Sequence, residues 1–256
     1  MKHHEEIVDQ FTRQAEQFAK SPAARNEEIL DRILRAAGPR PGDTALDIAS
    51  GPGVLVCALA RTARQATGID LTPAMLEQAK KTQQEQGLSN VSWDLGDVTS
   101  LSYGDAAFDI VTCRFAFHHF PEPLPVLREM RRVCRGGGRV LVIDSAPATS
   151  KADAFNSMER MRDPSHARAM PVEELRTLFL EAGLPEPQVE QTRLVLELDG
   201  WLARSCPREG DEARIRALFE QALVSDTMDV NPGREQGKVL FSIPVAILSA
   251  QVPYAL

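Results

Sequence analysis

An α/β fold, with a mostly parallel sheet and helices on both faces, follows from three observations on this 256-residue sequence. Strand and helix patterns alternate from Thr44 to Asp144. The first strand pattern runs straight into a glycine turn, Ser50-Gly51-Pro52-Gly53, that opens a helix at Val54. After Asp144 the alternation stops, and two late strand patterns read as an antiparallel edge.

The elements are justified in order. Ile7, Phe11, Ala15 and Phe18 recur at helical spacing between about Glu5 and Lys20. Ser21-Pro22 is expected to cap a second helix carrying Ile29, Leu30, Ile33 and Leu34, which Pro39, Pro41 and Gly42 end. Strand 44–49 then leads to helix 54–64, strand 65–70 to helix 73–86, and strand 91–96 to a loop. Strand 108–113 leads to helix 123–134, and strand 138–144 follows. The polar stretch from Ala146 to Met170 fits an insert over the ligand edge of the sheet. Helix 171–182, strand 188–197, a helical piece around 211–223 and strand 237–250 complete the chain.

The turn between the first strand and its helix predicts a ligand. Glycines let the backbone approach a bound molecule, and the helix start offers unpaired N–H groups with a partial positive charge. About twenty residues on, Ala66-Thr67-Gly68-Ile69-Asp70 reads as a second strand ending in a carboxylate, the usual place for a group that grips ribose hydroxyls. The third glycine of the dinucleotide pattern is replaced by Val56, so a nucleoside cofactor without pyrophosphate fits better.

Composition narrows the partners. A formal charge of −7 argues against a phosphate backbone, and 5% aromatic residues leave few stacking platforms for single strands, so nucleic acid is not expected. Cys57, Cys113, Cys134 and Cys206 are spread with no paired spacing, which suits reduced thiols in a cytoplasm rather than a zinc site or disulfide framework. Neither a signal peptide nor an apolar run long enough to span a bilayer is expected.

The order of Asp47-x-Ala49-x-Gly51-x-Gly53, Asp70, Gly96-Asp97, Phe108-Asp109-Ile110-Val111 and Gly136-Gly137-Gly138-Arg139-Val140 resembles class I S-adenosylmethionine-dependent methyltransferases, over about Asp43 to Asp144. The nearest resemblance is to the small-molecule group related to ubiquinone and menaquinone C-methyltransferases. Thr112-Cys113-Arg114, His118-His119-Phe120-Pro121 and Arg162-Asp163-Pro164-Ser165-His166 extend it to about Met170. The resemblance implies a Rossmann-like seven-stranded sheet whose last strand is antiparallel, with a small helical lid. It divides a single domain, 1–256, into a helical cap (1–40), a cofactor-binding core (43–144), a lid and helix (145–183) and C-terminal strands with a helix (184–256). It also implies S-adenosyl-L-methionine as cofactor, no metal, and a small organic acceptor, with an aromatic or heteroaromatic ring suggested by the quinone relatives. The oligomeric state stays open.

Carried over by position, Asp47, Ala49, Gly51 and Gly53 would shape the methionine end of the cofactor site, with Arg114 beside them or facing an anionic substrate. Ala49 stands where the family usually has glycine. Asp70 would take both ribose hydroxyls, because a carboxylate offers several acceptor sites. Asp97 would accept from the adenine amino group and Val98 would offer its backbone N–H, while Leu71 and Met75 pack the adenine face.

Methyl transfer from a sulfonium needs alignment and exclusion of water more than covalent catalysis, and a base only where the nucleophile still holds its proton. His118 and His119, after the fourth strand, are the candidate bases. Phe11, Arg162 and His166 are candidate substrate contacts from the cap and lid. Asp109 and Cys113 read as structural, and Arg128, Arg131, Arg132 and Arg135 as a solvated helix face beside Glu129. Two rivals stay open at this level: a nicotinamide-dependent oxidoreductase, disfavoured by Val56 and the lack of a Tyr-x-x-x-Lys pair, and a non-catalytic S-adenosylmethionine-binding subunit.

Overall fold

The computed structural model describes residues 2–21, 25–205 and 207–254, without the side chains of residues 2 and 3. Pro22 and Cys206 lie outside the described residues. The described chain opens with two helices, α1 (Lys2–Ala19) and α2 (Glu27–Ala37), before the alternating region begins. There β1 (Thr44–Ile48), α3 (Val54–Ala60), β2 (Gln65–Asp70), α4 (Pro73–Glu85), β3 (Val91–Leu95), β4 (Phe108–Arg114), α5 (Pro123–Val133) and β5 (Cys134–Ser145) succeed one another. The C-terminal part holds α6 (Ala152–Arg162), α7 (Val172–Glu181), β6 (Gln188–Glu197), α8 (Leu198–Ala203), α9 (Asp211–Ala222), β7 (Gly233–Glu235) and β8 (Lys238–Gln251).

The sheet runs β3-β2-β1-β4-β5-β8-β6, with the short β7 paired to β8. The first five strands are parallel, and β8 runs antiparallel to both β5 and β6. The chain winds outward from β1 in both directions, so β1 and β4 diverge at the topological switch, where an open α/β sheet forms its ligand crevice. Alternation along β1 sends Ala45 into the hydrophobic layer with α2 and α3, and Leu46 and Ile48 into the layer with α5 and α7.

Several local expectations are corrected. The cap of α2 is Asn26, whose Oδ1 accepts the Ile29 N–H at 2.9 Å, and not Ser21-Pro22. Helix α3 stops at Ala60 because the Asn90 side-chain amide donates to the carbonyls of Ala60 and Ala63. Strand β5 starts four residues early, at Cys134, through a register shift opposite Phe108 and Ile110. Gly138 lets it pass, since a Cβ there would lie 2.6 Å from the Asp109 carbonyl oxygen. These arginines are not simply solvated: on α5, Arg132 is bound to Glu129, Asp105 and the carbonyls of Leu101 and Tyr103, and Arg135, which lies on β5, pairs with Asp109. Asp109 also accepts the Thr44 N–H at 2.8 Å and so ties the start of β1 to β4.

Candidate active site

Three parallel strands end in carboxylates at the switch. Asp47 lies on β1 one residue before its end, Asp70 ends β2, and Asp144 lies one residue before the end of β5. Asp47 is buried and accepts the Thr112 hydroxyl at 2.6 Å from the neighbouring β4. Burial raises its pKa to about 7, against the pull of the Thr112 hydrogen bond and the Arg114 guanidinium. Burial in turn lowers Arg114 to about 10, with Asp47 opposing. A desolvated pair of this kind holds its geometry through mutual compensation, since either partner alone would be an uncompensated buried charge.

Asp70 organises the turn. Its Oδ2 accepts the Gly51 N–H and its Oδ1 the Thr72 N–H, each at 2.8 Å, so one carboxylate fixes the loops after both β1 and β2. Burial raises its pKa, and those backbone donors act against the rise. A carboxylate has about four acceptor sites, so the backbone N–H groups of Gly51 and Thr72 do not by themselves exhaust it. Gly51 has φ of +51° and a Cβ there would meet nothing within 4 Å, so its backbone faces open space. Ala49 adopts φ of +50°, the left-handed region that favours glycine, which explains the family's usual residue and shows that alanine keeps the turn.

One cavity of about 440 Å³ joins these groups to the histidines. Its lining includes Asp47, Ala49, Gly51, Asp70, Leu71, Met75, Asp97, Val98 and Arg114 at one end, and Phe11, His118, His119, Arg162 and His166 at the other. Gly53 is the exception among the sequence candidates. It lies outside the lining as the N-cap of α3, and its φ of +75° and close approach to the Trp93 ring, 2.3 Å from a built Cβ, make it a packing glycine. Asp97 uses Oδ1 to hold the Thr99 N–H and hydroxyl at 2.8 Å, leaving Oδ2 toward His4 of α1 at 3.5 Å. The Ser50 hydroxyl is a buried lining atom with no hydrogen-bond partner, an unmet polar group where a polar ligand would supply one.

The three histidines form one cluster, with ring centroids 4.2 Å apart for His118 and His119 and 5.2 Å for His118 and His166. Each is held by a different partner. His118 Nδ1 lies 2.6 Å from Asp144 Oδ1, while Asp144 also accepts the backbone N–H groups of His118 and Ser145. Burial pulls His118 down, but the Asp144 carboxylate outweighs it and raises the pKa overall. His119 Nδ1 faces the Ser165 carbonyl at 3.0 Å, and Phe11 packs edge-on at 5.0 Å. Burial and the neighbouring His118 lower His119 to about 4. His166 Nε2 contacts Asn156 Oδ1 at 2.7 Å, and burial pushes its pKa far below the ordinary value.

Arg162 is committed elsewhere: Nε donates to Glu159 at 2.8 Å, Asp163 stands 3.9 Å away, and the guanidinium lies over Trp201 at 5.1 Å. It shapes the wall with its charge already balanced. Residues that sequence reasoning passed over are Asp144, Asn156, Phe115, Gln14 and Trp201. Asp144 carried a readable signal, an acid at a strand end like Asp47 and Asp70, whereas Asn156 and Trp201 lie in helices the sequence concealed. Among the described residues, no group of three or more His, Cys, Asp or Glu is placed to hold a metal ion.

Comparison with known proteins agrees with this architecture. Residues 46–142 match a family model described as a methyltransferase domain. An uncharacterized methyltransferase of Bacillus subtilis, YcgJ, is 33% identical over 196 residues, 76% of this chain and 78% of that protein. The chain belongs to the methyltransferase family. It is an S-adenosylmethionine-dependent methyltransferase, and S-adenosylmethionine is its cofactor. The crystal structure of YcgJ superimposes with a TM-score of 0.81 at 29% identity, covering 90% of this chain and all of that one. A ubiquinone/menaquinone biosynthesis C-methyltransferase of Bdellovibrio bacteriovorus is 34% identical over 115 residues, 44% of this chain and 48% of that protein. Membership in this family closes the nicotinamide alternative. No described helix is long and apolar enough to cross a membrane.

Proposed function

We propose that this methyltransferase acts on a small aromatic metabolite whose reacting group still carries a proton, and that His118, positioned by Asp144, removes it. The observation that carries the reading is the single cavity joining the acid-tipped ends of β1 and β2 to the buried Asp144–His118 pair. When bound, S-adenosylmethionine supplies a methyl carbon on a sulfonium whose departure leaves a neutral thioether.

In this reading Asp70 holds the ribose, Asp97 and Val98 the adenine, and Leu71 and Met75 its faces. Asp47, Ala49, Gly51 and Arg114 surround the methionine end. The cradle fits such a group: Gly51 presents open backbone, Asp70 retains acceptor capacity, and Ser50 offers an unmet hydroxyl. The Asp144 carboxylate accepts a hydrogen bond from His118 Nδ1–H, which leaves the Nε2 lone pair to receive the substrate proton. A base placed this way contributes roughly 10²- to 10⁴-fold. The described part of the N-terminal cap and residues 145–170 would close the substrate side; α1 supplies Phe11 and the segment after α6 supplies His166. The lid segment is tied to the base, since the Ala167 and Arg168 N–H groups both donate to the His118 carbonyl at 2.9 Å. The buried thiols of Cys57, Cys113 and Cys134 suit a cytoplasmic setting.

The test is incubation of a metabolite extract with the protein and methyl-labelled S-adenosylmethionine, read by mass spectrometry, beside calorimetry with S-adenosylhomocysteine. A labelled aromatic product supports the reading. Tight S-adenosylhomocysteine binding with no labelled product from any extract favours the non-catalytic alternative.

A further inference from the structure

We propose that the methyl acceptor is an arene with two adjacent hydrogen-bond donors, catechol being the simplest, one donor giving its proton to His118 and its neighbour held by His166. This rests on the methyl-transfer reading and adds the substrate class.

The argument starts from Asn156, whose orientation is fixed on both sides. Its Nδ2 donates to the Ala152 and Ala169 carbonyls at 2.8 and 3.0 Å, and its Oδ1 accepts the Ala169 N–H at 2.7 Å. An acceptor oxygen therefore faces His166 Nε2, and that nitrogen carries the hydrogen. His166 Nδ1 is left as a lone pair. It is buried in a residue 4% exposed, lines the cavity and has no hydrogen-bond partner. Burial, together with the nearby His118, His119, Arg162 and Arg160, keeps it from protonating. An acceptor that cannot become a donor selects an O–H or N–H and rejects an ether or carbonyl. A buried acceptor left unmet is destabilising, and a ligand donor would relieve it.

His118 has the complementary arrangement. Its Nδ1 is taken by Asp144, so Nε2 is the remaining nitrogen, and among the described residues it has no hydrogen-bond partner. The two rings are 5.2 Å apart and tilted by 31°. Acceptors on two rings whose centroids are this close suit neighbouring substituents of one ring better than opposite ones. The surrounding lining is aromatic, with Phe11, Phe115, Phe120 and Trp201. The nearby cation of Arg162 is balanced by Glu159 and Asp163, so hydroxyls rather than a carboxylate suit this end.

The step balances without a further reactant. The acidic O–H passes its proton to His118 Nε2, and the oxygen forms a bond to the methyl carbon. The carbon–sulfur bond breaks with its electron pair kept on sulfur, and the imidazolium later loses its proton to solvent.

The experiment measures binding of catechol, phenol, 2-methoxyphenol and hydroquinone to the S-adenosylhomocysteine complex by calorimetry and ultraviolet difference spectroscopy. The expected result is catechol at least 10-fold tighter than the other three, with the red-shifted absorption of its monoanion near neutral pH. In His166→Phe that preference disappears while S-adenosylhomocysteine affinity is retained. In His166→Asn, which keeps an acceptor oxygen near the position of Nδ1, part of it returns, and a thermal melt confirms that each variant is folded. Equal binding of catechol and phenol, a preference for hydroquinone, no binding of any probe to the complex, or a catechol preference that survives in folded His166→Phe overturns the proposal. Failure of the methyl-transfer reading looks different, because the S-adenosylhomocysteine complex would still discriminate among the four probes while methyl-labelled S-adenosylmethionine gives no labelled product.

Discussion

Replacing Asp70 by alanine removes two kinds of interaction that the structure allows to be separated. In the unliganded protein the carboxylate accepts the Gly51 and Thr72 N–H groups at 2.8 Å each, in a residue 7% exposed. Stranding a buried donor costs about 1–3 kcal/mol, so Asp70→Ala should lower unfolding free energy in urea by that amount or somewhat more, as the turn admits water to one of them. In the complex the same carboxylate would accept two ribose hydroxyls through charge-assisted hydrogen bonds. Losing these should cost about 2–4 kcal/mol of cofactor affinity, which is about 30- to 700-fold in Kd.

Calorimetry with S-adenosylhomocysteine, beside urea melts of the same preparations, reads both quantities. Asp70→Asn sharpens the result: its amide oxygen can keep one backbone donor, while its NH2 must face the other, so stability falls less than in alanine and affinity still drops. Unchanged affinity in folded Asp70→Ala would refute the ribose assignment. A loss of affinity that merely tracks a loss of folded protein would refute the claim of direct contact.

The remaining predictions concern the base and the turn. Asp144→Asn should lower kcat about 10²- to 10³-fold with S-adenosylhomocysteine affinity unchanged, because the base loses its carboxylate and its preferred tautomer; single-turnover methylation checks it. Since the folded pKa of His118 lies above its ordinary 6.5, the neutral base is depleted below that raised value, so kcat/KM should rise with pH through an inflection above 6.5 that Asp144→Asn shifts down. His119 is depressed to about 4, so the stability tied to its neutral form is full above 6.5 and is lost as pH falls from 6.5 toward 4. The loss is about 3 kcal/mol at most, visible as a steeper acid decline in wild type than in His119→Asn. Ala49→Gly relieves a positive φ and should change stability by +1 kcal/mol or less, as glycine's extra unfolded-state entropy offsets the relief; a clear destabilisation would show that the Ala49 methyl packs usefully.

The five parallel strands were legible because each is a short run of β-formers bounded by Gly, Pro or Asp, and the order of motifs then located one end of the cavity. Helix α6 was not, because its buried face holds Asn156 and Glu159 beside Ala152, Phe155 and Met158, and a face that buries polar side chains hides the apolar period. Helix α8 carries Gly200 in its middle and is started by the Glu197 side chain, which accepts the Asp199 and Gly200 N–H groups, a local device rather than a pattern. Arg162 reads as an available cation in sequence because Glu159 and Asp163 look like ordinary neighbours; only helical geometry and burial turn them into its counter-ions. Gly53 shows the reverse: a motif glycine whose need comes from Trp93, forty residues away in sequence, rather than from the cavity.

Three histidines in one buried cluster cannot all carry charge, and their partners decide where a proton can stay. Asp144 gives His118 a full counter-charge, so the cluster's proton is held there. His119 Nδ1 faces a backbone carbonyl and the Ser165 hydroxyl, and His166 Nε2 an amide oxygen; these neutral groups do not offset a second cation on a ring centred 4.2 or 5.2 Å from the first. The same side chain thus becomes a titrating group in one position and a fixed neutral group in the others. In the proposed reaction His118 would exchange a proton with the substrate while His166 would read a neighbouring donor without competing for it. With the proposed acceptor, the distinction between the reacting hydroxyl and its neighbour would come from Asp144 and Asn156, although neither lines the cavity.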